Sequence, residues 1–117
     1  MRRGTTPTHV FTVDDANLEN IAELYITYAQ GKQIVLEKTL DDVVIDTENN
    51  TISVTLTQED TLKFKTSQWS YLYPNDNKKD MMVEVQIRMK YDDSNHSAFA
   101  SNIVLMDVEK LLKNGVI

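Results

Sequence analysis

Adjacent aspartates recur along this chain as Asp14-Asp15, Asp41-Asp42 and Asp92-Asp93. Hard carboxylate oxygens gathered at a loop are what a calcium ion takes as ligands. These pairs lack the D-x-D-x-D-G spacing that wraps one loop around one ion. Neighbouring aspartates also start turns, because their short side chains satisfy nearby backbone amides. They are read here as turns, and no metal is expected. The two histidines, His9 and His96, form no His-x-x-x-His pair of the kind that holds zinc. No serine occupies a G-x-S-x-G elbow. Acidic residues are abundant enough to supply the two carboxylates of a glycosidase, yet nothing in their spacing selects a pair. No catalytic residue and no cofactor is assigned, and the protein is expected not to be an enzyme.

Aromatic residues offer a different chemistry. Trp69, Tyr71 and Tyr73 stand two apart, so an extended segment would set the three rings on one side. Such a platform suits a sugar ring or a partner's apolar surface. The bland alternative has equal standing: a loop folding its own aromatics onto the edge of the core, since large apolar side chains seldom stay bare. The chain ends carry a second set of candidate partner-binding residues, Arg2, Arg3, Leu112, Val116 and Ile117, with Leu111 beside them. Loose polar tails need no such residues, whereas arms that order on a neighbour do. Both arms are therefore expected to be mobile in a free monomer and to pack in an assembly.

What must position these residues is a set of strands. The clearest lies at 82–92, where Val83, Val85, Ile87, Met89 and Tyr91 alternate with Glu84, Gln86, Arg88 and Lys90. A period of two puts all the apolar side chains on one face. A strand with one dry face needs a second apolar layer over it. Further strands are expected at 9–13 (His9, Phe11 and Val13 sharing a face), 23–29 (Leu24, Ile26, Tyr28), 33–39, 43–45, 51–56 and 98–108. Gln30-Gly31-Lys32 reads as a hairpin connection, 18–21 as a brief helical turn, and 57–64 as one helical turn capped by Thr57. Residues 66–80 read as a polar and aromatic loop. About seven strands with turn signals every eight to twelve residues point to an immunoglobulin-like β-sandwich. Residues 1–7 form an extended N-terminal arm, 8–109 the sandwich and 110–117 a C-terminal tail.

Composition narrows the class. With 117 residues, 41% apolar and 26% charged, the chain matches one soluble domain. Its net charge of −6 disfavours a phosphate-backbone binder, so no direct nucleic-acid contact is expected. The absence of cysteine excludes disulfides and thiolate metal sites, and fits a reducing compartment. The basic start has no apolar run behind it and does not read as a secretory signal. No stretch approaches the roughly 18 apolar residues of a membrane span. Without a secretory signal, the sequons at Asn49-Asn50-Thr51 and Asn95-His96-Ser97 read as turns.

Three stretches carry a family likeness: Met1-Arg2-Arg3-Gly4-Thr5-Thr6-Pro7-Thr8-His9-Val10-Phe11, Ile52 through Leu62, and Ala100-Ser101-Asn102-Ile103-Val104 with the tail Leu111-Leu112-Lys113-Asn114-Gly115-Val116-Ile117. Together they resemble small, mostly uncharacterised proteins encoded in tailed phages and prophages of Firmicutes-type hosts. The loop at 66–80 is longer and more aromatic than that pattern. The resemblance implies a single immunoglobulin-like virion module, a head, neck or tail component made in the host cytoplasm and then built into the particle. Its implied partners are other virion proteins and copies of itself. The alternative is a module binding carbohydrate or the host surface through Trp69, Tyr71 and Tyr73, with a host glycan as partner.

Overall fold

The computed structural model describes residues 1–14, 16–66, 82–109, 113 and 115–117. Among these lie eight strands: β1 (Thr8–Thr12), β2 (Ile21–Gln30), β3 (Gln33–Thr39), β4 (Val43–Asp46), β5 (Thr51–Thr55), β6 (Met82–Tyr91), β7 (Ala98–Ala100) and β8 (Val104–Asp107). One short helix, α1 (Gln58–Leu62), follows β5. All strand pairs are antiparallel and fall into two sheets, β1-β5-β4 and β3-β2-β6-β7, with β8 also pairing β6.

The alternation in β6 works as its sequence requires. Val83, Val85, Ile87 and Met89 are buried, while Glu84, Arg88 and Lys90 are exposed. Its long partner is β2, and the register sets Leu24 opposite Met89, Ile26 opposite Ile87 and Tyr28 opposite Val85. All of these face one core, closed from the other side by Ile52 and Val54 of β5, with Leu56, Phe64 and Val108. The protein is thus an all-β sandwich. Each large apolar side chain moved from water into such a core contributes roughly 1.5–3 kcal/mol.

Local chemistry explains the connections. Gly31 and Lys32 both have positive φ, 53° and 69°. Two such residues in a tight hairpin match the right-handed twist of β2 and β3. At α1, the Thr57 side chain accepts a hydrogen bond from the Asp60 amide (3.1 Å), and the Asp60 carboxylate accepts one from the Thr57 amide (3.0 Å). This reciprocal capping box stops β5 and starts the helix.

Two elements differ from the sequence reading. No helical turn forms at 18–21; the Asn17 side chain accepts from the Glu19 amide at 2.9 Å, Asn20 has φ of 57°, and β2 starts at Ile21. Short polar side chains there outcompete a helix for the backbone. The strand expected over 98–108 is broken in two. Phe99 lies opposite Met89 but Val104 lies opposite Val85, so one extra residue sits between β7 and β8. Ser101 closes the gap: its amide donates to the Ile87 carbonyl (2.9 Å), and its hydroxyl oxygen accepts from the Ile87 amide (3.0 Å). Among the described residues, no helix is long and apolar enough to cross a membrane.

The facing of β6 has a direct test. Val85→Asp places an unpartnered carboxylate in the core, a cost of several kcal/mol against a typical total of about 5–15. Glu84→Lys changes only the wet face. Circular dichroism melts are expected to show an unfolded or grossly destabilised Val85→Asp and a Glu84→Lys close to the parent; equal losses would contradict the assigned faces.

Candidate interaction edge

The segment before β1 is laced to the body of the domain. The Met1 ammonium donates to the Asp107 carbonyl (2.8 Å), the Glu109 amide donates to the Met1 carbonyl (2.8 Å), and the Arg3 amide donates to the Glu109 carbonyl (3.2 Å). Arg2 thereby pairs with Glu109 as a parallel β-bridge, and their side chains form an ion pair at 2.6 Å. With both side chains about half exposed, that pair contributes at most about 1 kcal/mol. The Arg3 guanidinium donates to the Leu62 carbonyl (3.0 Å), the Thr61 hydroxyl donates to the Thr5 carbonyl (2.9 Å), and the Leu56 amide donates to the Pro7 carbonyl (2.9 Å).

The expectation of a mobile N-terminal arm is therefore corrected. Hydrophobic alternation is a test for strands that bury a face. A short segment that only satisfies the outer edge of a neighbouring strand needs backbone groups, which every residue but proline has in full.

At the other end, Gln58 of α1 clamps Ile117. The Ile117 amide donates to Gln58 Oε1 (2.8 Å), and Gln58 Nε2 donates to the Ile117 carbonyl (3.1 Å). The side chains of Val116 and Ile117 remain exposed. Arg3 and Ile117 thus both attach to α1, and Arg2 attaches to Glu109. Trp69, Tyr71, Tyr73 and Leu112 lie outside the described residues.

Past Met1, the edge of the larger sheet continues into Ile103, Val104 and Leu105, all substantially exposed. Beside them, between the end of β1 in one sheet and the β7–β8 interruption in the other, opens a cleft of about 270 Å³. Phe11, Val85, Ile87 and Phe99 form its apolar walls, and Ser101 and Asn102 sit at the break. Apolar cavities of roughly 150 Å³ accept benzene, so this cleft has room for one or two apolar side chains. Chemically, the region can add a strand at its edge and take an anchor residue in its cleft. The cleft was missed in the sequence reading, although a signal was there. Phe99 is odd-numbered while Val104, Met106 and Val108 are even, and a strand cannot change phase without an extra residue.

Titratable groups gather at a second place, deeper in the sandwich. His9 Nδ1 of β1 and the Tyr28 hydroxyl of β2 share a hydrogen bond of 2.7 Å that joins the two sheets. Tyr28 also meets Phe64 edge-on, with ring centres 5.8 Å apart. Nearby, Lys38 of β3 and Asp60 of α1 form a largely buried ion pair at 2.7 Å. Burial raises the Tyr28 hydroxyl pKa, and the Asp60 charge raises it further. Burial lowers that of His9, helped by the positive amino terminus. For Asp60 burial acts upward, but the Lys38 and Thr57 hydrogen bonds together outweigh it and hold the carboxyl below its ordinary value. The His9–Tyr28 hydrogen bond and the Lys38–Asp60 ion pair link the two sheets and the helix.

The aspartates act where turns are made. Asp42 accepts from the Thr39 amide (2.9 Å), and Asp93 accepts from the Ser97 amide (2.9 Å). Among the described residues, no three His, Cys, Asp or Glu side chains are grouped so as to hold a metal ion. No protein-family model matches the chain, and a comparison with curated proteins gives no match.

Two measurements follow from this geometry. Deleting residues 1–5 removes several backbone bonds worth about 0.5–1.5 kcal/mol each, and calorimetry is expected to show a melting temperature lower by at least about 5 °C. An unchanged value would mean that the segment is not docked. His9 is the second case. Its folded pKa lies below the unfolded value of 6.5, so in that window the unfolded chain binds the proton and the folded chain does not. Stability is then expected to be full above pH 6.5 and to fall as the pH drops through the folded value. In His9→Gln this part of the pH dependence should vanish from urea titrations; its survival would assign it to another group.

Proposed function

We propose that this protein is a non-enzymatic structural component of a tailed-phage virion, working through subunit–subunit contacts. The observation that carries the reading is the open edge: exposed Ile103, Val104 and Leu105 beside an apolar cleft, on a sheet edge that the chain's own first residues cover only in part. Exposed, unprotected edges invite strand addition, and free-standing proteins usually blunt them with charge or proline. Here the run is apolar, which suits a protein whose edge is covered once assembled.

The strand order also fits the immunoglobulin scheme. β1, β4 and β5 stand where strands B, D and E do, and β2, β3, β6 and β7–β8 where C, C′, F and G do. The short parallel contact of Arg2 with Glu109 takes the place of strand A beside G. The likeness of both chain ends to phage and prophage proteins supplies the virion, and the particle is the proposed final location. Other virion proteins are the proposed partners.

The test uses particles released from a host that carries the gene. Mass spectrometry is expected to find the chain in purified particles. Leu105→Lys, which alters only an exposed side chain, should melt like the parent yet be incorporated at least tenfold less. Absence of the parent chain from particles would overturn the virion reading; full incorporation of Leu105→Lys would overturn the role of the edge.

A further inference from the structure

The cleft beside β8 has a more particular chemistry than the edge it adjoins. Its walls include two aromatic rings, Phe11 of β1 and Phe99 of β7, both only partly buried. Ser101 is already occupied there. Its hydroxyl accepts from the Ile87 amide (3.0 Å) and donates to the Asn102 carbonyl (2.9 Å), and its own carbonyl accepts from the Gln86 side chain (3.0 Å). Asp14, just past the end of β1, is exposed and is the one charged residue among the described residues that line the cleft. A carboxylate is thus the strongest polar group left there for a guest.

The backbone of β8 sets how a guest enters. The Glu109 amide and the carbonyls of Asp107 and Glu109 point outward, to Met1 and Arg3. Backbone groups alternate along a strand, so the amide and carbonyl of Leu105 point outward too, on the stretch that Met1 leaves uncovered. Val104 turns the other way, opposite Val85, and its side chain lines the cleft. A strand added along Leu105 therefore sends every second side chain inward, beside Val104 and over the cleft.

We propose that the cleft takes an aromatic side chain from a partner's extended segment, and that a lysine or arginine two residues away on the same face meets Asp14. This rests on the reading of β8 as an open edge, and it adds what the partner must present. Size, wall chemistry and charge each select part of that motif. The cleft, at about 270 Å³, exceeds the roughly 150 Å³ that holds benzene, so a whole ring fits. Phe11 and Phe99 offer it edge-to-face contacts, which favour a ring over an aliphatic chain. Asp14, on a chain of net charge −6, attracts a cation and repels an acid. Residues two apart on a strand stand about 7 Å apart on one face, a gap that a long basic side chain spans.

The test needs only the purified chain and a synthetic strand, acetyl-Thr-Phe-Thr-Arg-Thr-amide, followed by amide chemical shifts. Saturable shifts are expected at Phe99, Ser101, Val104 and Leu105, with a Kd of about 1 mM or tighter. Replacing the peptide's phenylalanine by alanine, or its arginine by glutamate, should weaken binding about tenfold. Asp14→Asn, a change at an exposed side chain, should bind the arginine and glutamate peptides alike while still requiring the phenylalanine. Val104→Trp, which fills the cleft from a partly exposed position, should bind none of them. No saturable shift with the arginine peptide, an arginine preference that survives Asp14→Asn, or phenethylamine alone binding as tightly as the peptide would each overturn the inference. No particle enters this assay, so such a failure strikes the anchor motif alone and leaves the role of the edge to the Leu105→Lys experiment.

Discussion

The pairing of β2 with β6 is the constraint on which the rest of this molecule depends. Among the described residues it is the longest ladder, running from Ile21 opposite Tyr91 to Ala29 opposite Glu84. Its register places apolar residue against apolar residue along the whole inner face. A slip by one residue would turn Leu24, Ile26 and Tyr28 out to water and bring Glu23 and Tyr25 in, at a cost no neighbouring contact could offset. Once this pair is set, β3 and the β7–β8 pair follow as its flanks. The smaller sheet must then cover the exposed apolar face.

That covering is held by polar contacts as well as by packing. His9 and Tyr28 bridge the sheets, and Asp60 both caps α1 and pairs with Lys38. A buried ion pair gives little net stability by itself, because desolvating two charges costs about what their attraction returns. Its consequence is positional: with Asp60 held, α1 has one place to sit. Gln58, Thr61 and Leu62 of that helix are the residues that receive the two chain ends. One short helix thus organises the start and the finish of the chain.

The two outer surfaces of the sandwich have opposite character. The β2–β6 face is a mixture of charges that suits permanent contact with water. The outward strand residues of the β1–β5–β4 face are threonine, serine and valine with Asp46, and the β8 edge exposes Val104 and Leu105.

Most of the strands were legible in the sequence because each buries one face, and burial imposes a period of two that a reader can see. Residues 51–55 and 82–91 are the clearest cases, and the Thr57 cap marked the helix as plainly. The break at Ser101–Ile103 was legible in principle, as a change of phase between Phe99 and Met106. The docking of Met1, Arg2 and Arg3 was not, since backbone-to-backbone bonds leave no trace in side-chain pattern. The cleft and the outer β1–β5–β4 face belong to the tertiary structure for a related reason. Phe11, Ile87 and Ser101, or Val10, Ser53 and Val44, come from strands far apart in the chain, and only the register of the folded sheets makes them neighbours. Sequence determined which side of each strand would be dry; the packing of the sheets decided which edges and faces stayed open to a partner.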